Sequence, residues 1–242
     1  MCNTQAMPPQ TQTQLVIGLG TGRCGTKSLA YLLNRQIDAE VYHEKEAHKI
    51  GWRGSEKDID TLLDWATHST HLRLVGDVAL YYLPYVDYIL ARQPTVKFLC
   101  FQRDCAPTVA SYMRKIPHFN HWMEHEGIIW EKHKWDHCFP SYAVPDKQSA
   151  ITLYWYDYYF TATRFQSLYP DTFKIFPTKS LNSKSGQQAI FAFLGIPESQ
   201  MQFAVGIRLN PNDPKLLRQP DKMAVPVVKR IYRSLKRIWV IK

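Results

Sequence analysis

The chain has 242 residues, 45% of them hydrophobic, which is enough for one globular domain with a sizeable core. The net charge of +9 is uneven, because residues 215–242 contain nine basic side chains and one acidic side chain. A basic segment favours anionic partners in general, and we do not expect nucleic acid to be one. The sequence contains no run of about 20 apolar residues and no pattern of a signal peptide at its start, which argues against a membrane-spanning or secreted protein.

Short apolar runs alternate with helical patterns along the chain. This alternation predicts an α/β fold with three layers, in which helices cover both faces of a central parallel sheet. Residues 116–145 are rich in His, Trp and Pro and lack a clear period, so we interpret them as a long surface excursion. The predicted strands are 15–17, 39–43, 72–75, 96–101 and 172–176, and the predicted helices begin near Ser28 and cover 81–91, 106–115, 149–168 and 187–194.

The composition divides the chain into three parts. We predict a disordered N-terminus (1–13), one domain (14–214) and a basic C-terminal extension (215–242). Within the extension, residues 225–242 place apolar and basic side chains on different sides of a helix, which either packs on the domain or lies on an anionic membrane. The five scattered cysteines argue against a disulfide framework and favour a reducing, cytoplasmic compartment.

A glycine-rich loop lies between the first strand and the first helix. It reads Gly18-Leu19-Gly20-Thr21-Gly22-Arg23-Cys24-Gly25-Thr26-Lys27-Ser28. Glycines let backbone amides approach an anion, and a helix N-terminus adds unpaired donors and the positive end of a dipole. The loop therefore predicts a phosphate or sulfate site. It differs from the nucleoside triphosphate loop G-x-x-x-x-G-K-[ST], because Thr26 separates Gly25 from Lys27.

A second anion site is predicted about 80 residues later. Arg103 follows a buried strand, and Ser111 lies eight residues further on, in the next helix. Ligands of open α/β sheets bind at the carboxyl ends of strands, where an arginine can hold a phosphate through two hydrogen bonds. The alternative is a salt-bridged arginine and a solvated serine.

Together these motifs resemble those of sulfotransferases that use 3′-phosphoadenosine 5′-phosphosulfate (PAPS). The run from Arg23 to Leu29 is similar to the [RK]-x-G-[TS]-x-x-L loop of that family, and the arginine–serine pair is similar to its 3′-phosphate site. The resemblance extends over roughly residues 14–200 and implies the P-loop-like sulfotransferase fold. It implies Arg23 as the catalytic cation on the leaving phosphate, and adenosine 3′,5′-bisphosphate as the product. The implied nucleotide contacts are Gly22, Arg23, Cys24, Gly25, Thr26, Lys27, Ser28, Arg103 and Ser111.

Transfer of a sulfuryl group to a hydroxyl or amine also requires a base. The second predicted strand, which we expect beside the first, ends in His43-Glu44-Lys45-Glu46. Because successive strand residues face opposite ways, we expect only one of the first two side chains to face the cleft. We rank Glu44 first, His43 second and Glu46 third, and the alternative is that all are ordinary solvated charges. Asp77 either orients the base or contacts the substrate.

The segment rich in His and Trp is the predicted acceptor pocket. His121, Trp122 and Trp130 are candidates for stacking on an acceptor or bonding to it, and plain packing is the alternative. The pairs His121/His125 and His133/His137 have a spacing that suits zinc on a helix, but no thiol or carboxylate pattern completes a site. We therefore assign no metal site, and we expect PAPS to be the only cofactor.

The predicted function is PAPS-dependent sulfuryl transfer to a carbohydrate, a lipid or a small molecule. One alternative is a P-loop kinase or other nucleotide-binding protein that uses ATP and Mg²⁺, although Lys27 is displaced from the position such a protein requires. Another alternative is a non-catalytic protein of the same fold that binds a nucleotide or lipid.

Overall fold

Five parallel strands form one sheet in this computed structural model, which describes residues 13–116, 118–129 and 133–207. The order of the strands across the sheet is β2-β3-β1-β4-β5, and each neighbouring pair is parallel. The predicted basic extension, and all but one residue of the predicted disordered N-terminus, lie outside the described residues. The strands are β1 (Gln14–Leu19), β2 (Ala39–His43), β3 (Leu74–Val78), β4 (Lys97–Gln102) and β5 (Phe173–Pro177).

Six α-helices connect and cover these strands within the described part of the chain. The predicted three-layer α/β/α architecture with a parallel sheet is therefore confirmed. Short 3₁₀ helices at Leu80–Tyr85, Asp136–Cys138, Thr178–Asn182 and Glu198–Gln200 join these elements. The α-helices are α1 (Thr26–Asn34), α2 (Glu56–His68), α3 (Val86–Arg92), α4 (Cys105–Lys115), α5 (Lys147–Leu168) and α6 (Lys184–Phe193).

Alternation along the strands produces two hydrophobic cores, one on each face of the sheet. In β1, Leu15, Ile17 and Leu19 belong to one core and Val16 belongs to the other, because successive side chains of a strand point to opposite faces. Buried residues of α2, α3, α4 and α5 fill the first core, and those of α1 and α6 fill the second. No helix among the described residues has both the length and the apolar character needed to cross a bilayer.

The position of β2 differs from the prediction. We expected it beside β1, but β3 lies between them, since Val78 of β3 aligns with Gly18 on one side and with His43 on the other. After β1 the chain passes through α1 to β2, which is the outermost strand of the sheet. Strand β3 then inserts between β2 and β1. The carboxyl ends of β1, β3 and β2 consequently lie side by side at one edge.

Two local predictions also need correction. Gly76 and Asp77, expected to close the third strand, lie inside β3, and both are buried. Helix α2 was not predicted, although Ile59, Leu62 and Ala66 follow helical spacing and form its buried face.

The described parts of residues 116–145 are not the predicted surface excursion. They contain one short 3₁₀ helix in their described part, yet several of their side chains are buried. Trp122 and Cys138 are fully buried, and Trp52 N–H donates to the carbonyls of Gly127 (3.0 Å) and His137 (2.7 Å). The prediction was wrong because a segment without periodicity can still pack against the domain through individual side chains.

Candidate active site

The glycine loop connects the end of β1, at Leu19, with the start of α1, at Thr26. Two of its glycines are required by geometry. Gly22 has φ of 82°, and a Cβ there would lie 2.2 Å from the hydroxyl oxygen of Tyr112. Gly25, with φ of 93°, is the N-cap of α1, a backbone conformation that other residues rarely adopt. The loop therefore passes close to α4 and turns sharply into the helix.

The N-terminus of α1 lacks a side-chain cap, because its N-cap residue is a glycine. Leu29 N–H donates to the Gly25 carbonyl at 3.0 Å, which starts the helical hydrogen bonding. The preceding amides of Thr26, Lys27 and Ser28 have no acceptor within the helix. These amides, together with the positive end of the helix dipole, form a site that suits an anion.

Tyrosine hydroxyls hold the glycine loop in place. Tyr158 of α5 accepts a hydrogen bond from Gly20 N–H at 2.9 Å and donates to the Leu80 carbonyl at 3.0 Å. The Thr21 carbonyl accepts from Tyr112 and from Tyr154, the latter at 3.2 Å. Burial raises the pKa of all three phenols well above 10, so these hydroxyls remain protonated donors.

The sequence analysis missed this role of α5. Tyr154 and Tyr158 stand four residues apart and therefore lie on one face of the helix, where both are buried. Buried tyrosines require a partner for the hydroxyl group, which is a signal that the sequence carries. The partner itself, a loop more than 130 residues away, is visible only in the structure.

The two predicted anion sites contact each other directly. Arg23, at a φ of 57°, donates from Nε to Ser111 Oγ at 3.0 Å. Arg103, one residue after β4, donates from a terminal guanidinium nitrogen to the Arg23 carbonyl at 3.1 Å. Its own carbonyl accepts from Trp155 Nε1 at 2.9 Å, which fixes the backbone there. We call residues 18–28 together with Arg103 and Ser111 the anion side of the site.

The side chain of Cys24 lies in the core rather than in the loop's open face. It is fully buried, and burial raises the pKa of its thiol to about 11, so the thiol is neutral at physiological pH. The Cys24 carbonyl accepts from Thr178 Oγ1 at 2.8 Å, and the same hydroxyl donates to the Gln102 carbonyl at 3.1 Å. Any contribution of Cys24 to anion binding therefore comes from its backbone amide.

His43 and Glu44 lie on the same side of the chain, contrary to the prediction that only one of them faces the cleft. Strand β2 ends at His43, and Glu44 has φ of 57°, which interrupts the alternation of the strand. His43 Nδ1 lies 3.5 Å from a carboxylate oxygen of Glu44. The His43 Nε2 atom lies 3.1 Å from Thr26 Oγ1, so the pair reaches the start of α1.

The protein environment shifts the pKa values of Glu44 and His43 in opposite directions. Burial, with a further contribution from the nearby Asp77 carboxylate, raises the pKa of Glu44 to about 7, while Lys27 opposes this shift. Burial and the charge of Lys27 lower the pKa of His43 to about 4. His43 is therefore neutral at pH 7, and Glu44 is the group that exchanges a proton in that range.

Asp77 acts within the protein rather than at its surface. Its carboxylate is fully buried and accepts from Tyr82 Oη (2.7 Å), Lys45 N–H (3.1 Å) and Val78 N–H (2.9 Å). These contacts favour the prediction that it orients the base region over the one that it contacts substrate. We call His43, Glu44 and Asp77 the acid side of the site.

The third base candidate, Glu46, is already paired. Its carboxylate lies 2.8 Å from Lys49 Nζ in the turn that follows β2. This pairing leaves Glu44 and His43 as the candidates that reach the start of α1.

Two of the three residues predicted to line the pocket for the acceptor substrate are buried, and the third is not described. Trp122 is fully buried, and its ring packs against Tyr112, Phe139 and Tyr154 with centroid distances between 4.6 and 5.7 Å. This placement favours the packing alternative for Trp122. His121 is also buried and bonds through Nδ1 to the Asp136 carboxylate. Trp130 lies outside the described residues.

Comparison with known proteins identifies the fold. No protein-family model matches the sequence, and no curated protein matches it either. The structure is similar to a sulfotransferase from Alicyclobacillus acidocaldarius, with a TM-score of 0.51 and 16% identity over 85% of this chain and 88% of that one. A mouse sulfotransferase complexed with PAP gives a TM-score of 0.47 and 15% identity over 78% of this chain and 62% of that one. The chain has the sulfotransferase fold.

Proposed function

We propose that this protein transfers a sulfuryl group from PAPS to a hydroxyl or amine of an acceptor. The observation that carries the proposal is the 3.0 Å hydrogen bond between Arg23 Nε and Ser111 Oγ. It makes two independently predicted anion sites contiguous at the carboxyl edge of the sheet. A nucleotide with a 3′-phosphate and a 5′-phosphosulfate carries two anionic groups on one adenosine and matches this arrangement.

Different groups of the anion side would bind the two phosphates of this nucleotide. Arg103 and Ser111 would hold the 3′-phosphate, since a guanidinium and a hydroxyl both donate to phosphate oxygens. The free amides at the start of α1 would hold the 5′-phosphate. Arg23 uses Nε for Ser111, and a guanidinium has further donors that can stabilise charge on the leaving phosphate.

The acid side would supply the proton acceptor. As the acceptor oxygen or nitrogen bonds to sulfur, its proton passes to the Glu44 carboxylate. The bond between sulfur and the bridging oxygen breaks, and the electron pair stays on the 5′-phosphate of adenosine 3′,5′-bisphosphate. A carboxylate whose pKa is about 7 is well matched to such a transfer near neutral pH. Neutral His43, between Glu44 and Thr26, would position the carboxylate relative to the loop.

Nucleotide binding provides the primary test. We expect calorimetry to show tighter binding of adenosine 3′,5′-bisphosphate than of ADP, because only the former carries a 3′-phosphate. Arg103→Ala should reduce this preference by about 10-fold or more, the usual effect of losing a hydrogen bond to a charged group. Arg73→Ala is the matched control, since Arg73 is also partly buried but precedes β3 at the opposite edge of the sheet.

Other outcomes would separate the alternatives. Preferential binding of ATP with Mg²⁺ would replace the proposal with a kinase or other nucleotide-dependent activity. Tight binding of the bisphosphate without its release from PAPS, across hydroxyl and amine acceptors, would indicate a non-catalytic binding protein. Equal affinity for ADP and the bisphosphate would contradict the assignment of Arg103 and Ser111.

A further inference from the structure

A cluster of potential metal ligands lies in the segment between α4 and α5, apart from the groups assigned to the nucleotide. His121, His133 and Asp136 each offer one ligand atom, and these atoms all lie within 4.8 Å of one another. His121 and Asp136 are buried, and His133 is partly buried. Two imidazoles and one carboxylate therefore form a compact set of nitrogen and oxygen donors.

The cluster is built by tertiary structure and not by helical spacing. The sequence pairs His121/His125 and His133/His137 do not form it, because no α-helix runs through these residues in the described segment. His125 is used elsewhere, with its Nδ1 atom 2.9 Å from the Gly127 amide. The carboxylate that the sequence analysis did not find is Asp136, which comes from the short 3₁₀ helix.

The surroundings hold the three side chains in place. The His133 amide donates to Asp136 Oδ2 at 2.7 Å, while His121 Nδ1 bonds to Oδ1 of the same carboxylate. The Phe119 ring stacks on His133 with centroids 3.9 Å apart, and Phe139 stacks on His121 at 5.2 Å. Backbone bonds to a ligating carboxylate and an apolar shell around the rings are typical supports of a metal site.

The donor set distinguishes between kinds of metal ion. Mg²⁺ and Ca²⁺ prefer all-oxygen sites, whereas Zn²⁺ binds histidine nitrogen together with carboxylate oxygen. We propose that His121, His133 and Asp136 bind one Zn²⁺ ion, which holds the parts of the chain around these three residues together. Water would fill the fourth position of a tetrahedral site, since the cluster supplies three protein ligands.

The proposed site has a structural consequence. The same segment contacts the chain just after the acid side, where the Cys138 thiol donates to the Ile50 carbonyl at 3.3 Å and Trp52 N–H bonds to the segment. Zinc would stabilise a part of the domain whose described residues form only one short 3₁₀ helix, Asp136–Cys138. This inference does not depend on the nucleotide or on the reaction proposed above.

Zinc content provides the test. The tag-free full-length chain is incubated with Zn²⁺, desalted and measured by mass spectrometry of the metal, and we expect about one ion per chain. His133→Ala, the least buried of the three positions, should lower the affinity by more than about 100-fold, beyond the usual effect of a supporting residue. His118→Ala is the matched control, because His118 is exposed in the same segment and outside the cluster.

Two further measurements keep the outcome decisive. Co²⁺ should give visible d–d absorption typical of tetrahedral coordination in the wild type and in His118→Ala, but not in His133→Ala. Circular dichroism of His133→Ala confirms that the variant is folded. Absence of zinc and of the cobalt spectrum in the wild type, or equal zinc in His133→Ala and the wild type, would overturn the proposal.

Discussion

The anion side and the acid side of the site differ in how their geometry is specified. On the anion side, short motifs define the chemistry: glycines, Arg23 and an uncapped helix follow each other, and Arg103 and Ser111 form a second motif about 80 residues later. On the acid side, the chemistry depends on burial and on strands that meet only in the fold. Glu44 gains its raised pKa from burial and from Asp77, which is 33 positions away in sequence but adjacent in the sheet. Short motifs therefore predict candidate binding groups more readily than they predict candidate proton acceptors.

The largest effect is expected on the acid side. Glu44→Gln should lower kcat/KM by about 10²–10⁴-fold, the usual contribution of a general base. In the wild type, activity should rise as pH increases through about 7, because the deprotonated carboxylate is the form that accepts the proton. A pH profile of kcat/KM measures this rise, which we call the pH limb. The Glu44→Gln profile should lack it.

The control for this prediction is Glu46→Gln, which removes a carboxylate paired with Lys49 in the same turn. It should leave the pH limb unchanged. If Glu44→Gln retains both the rate and the limb, the acid side is not the source of the base. His43 would then be tested next by His43→Gln.

A second effect of similar size concerns Trp122, which packs against Tyr112 and Tyr154, two tyrosines that bond to the glycine loop. Trp122→Ala should lower the free energy of unfolding by about 3–5 kcal/mol, because it leaves a large cavity among Tyr112, Phe139 and Tyr154. Denaturant unfolding measures this, and Trp155→Ala, at a partly buried position of α5, gives the comparison. Unchanged stability together with a selectively raised KM for the acceptor would instead assign Trp122 to an acceptor pocket.

The smallest expected effect tests whether the shape of the glycine loop depends on a residue that is distant in sequence, Tyr158. Tyr158→Phe removes the hydroxyl that bridges Gly20 N–H and the Leu80 carbonyl. Leaving such buried groups without a partner costs about 1–3 kcal/mol, so both stability and affinity for adenosine 3′,5′-bisphosphate should decrease. Tyr156→Phe on the exposed side of the same helix is the control. Unaltered binding in Tyr158→Phe would show that local sequence alone maintains the loop.

These differences explain what the sequence could predict. The layered fold followed from alternating strands and helices, and the two anion sites were predicted from short motifs whose parts are close in sequence, which the fold brings into contact. The sheet order could not be predicted in the same way, because nothing in β2 itself indicates that β3 separates it from β1. Likewise, the positive φ of Glu44 overrode strand alternation, and the packing of Trp122 depends on partners from α4, from α5 and from a later part of its own segment.

The tyrosine contacts also constrain when the site forms during synthesis. The hydroxyl that holds the Gly20 amide lies 138 residues further along the chain, on α5. The glycine loop leaves the ribosome early, but it obtains its final shape only after α5 has emerged and docked. A nascent chain that ends before this helix would contain both predicted anion motifs but lack the hydroxyl groups of Tyr154 and Tyr158 that bond to the loop.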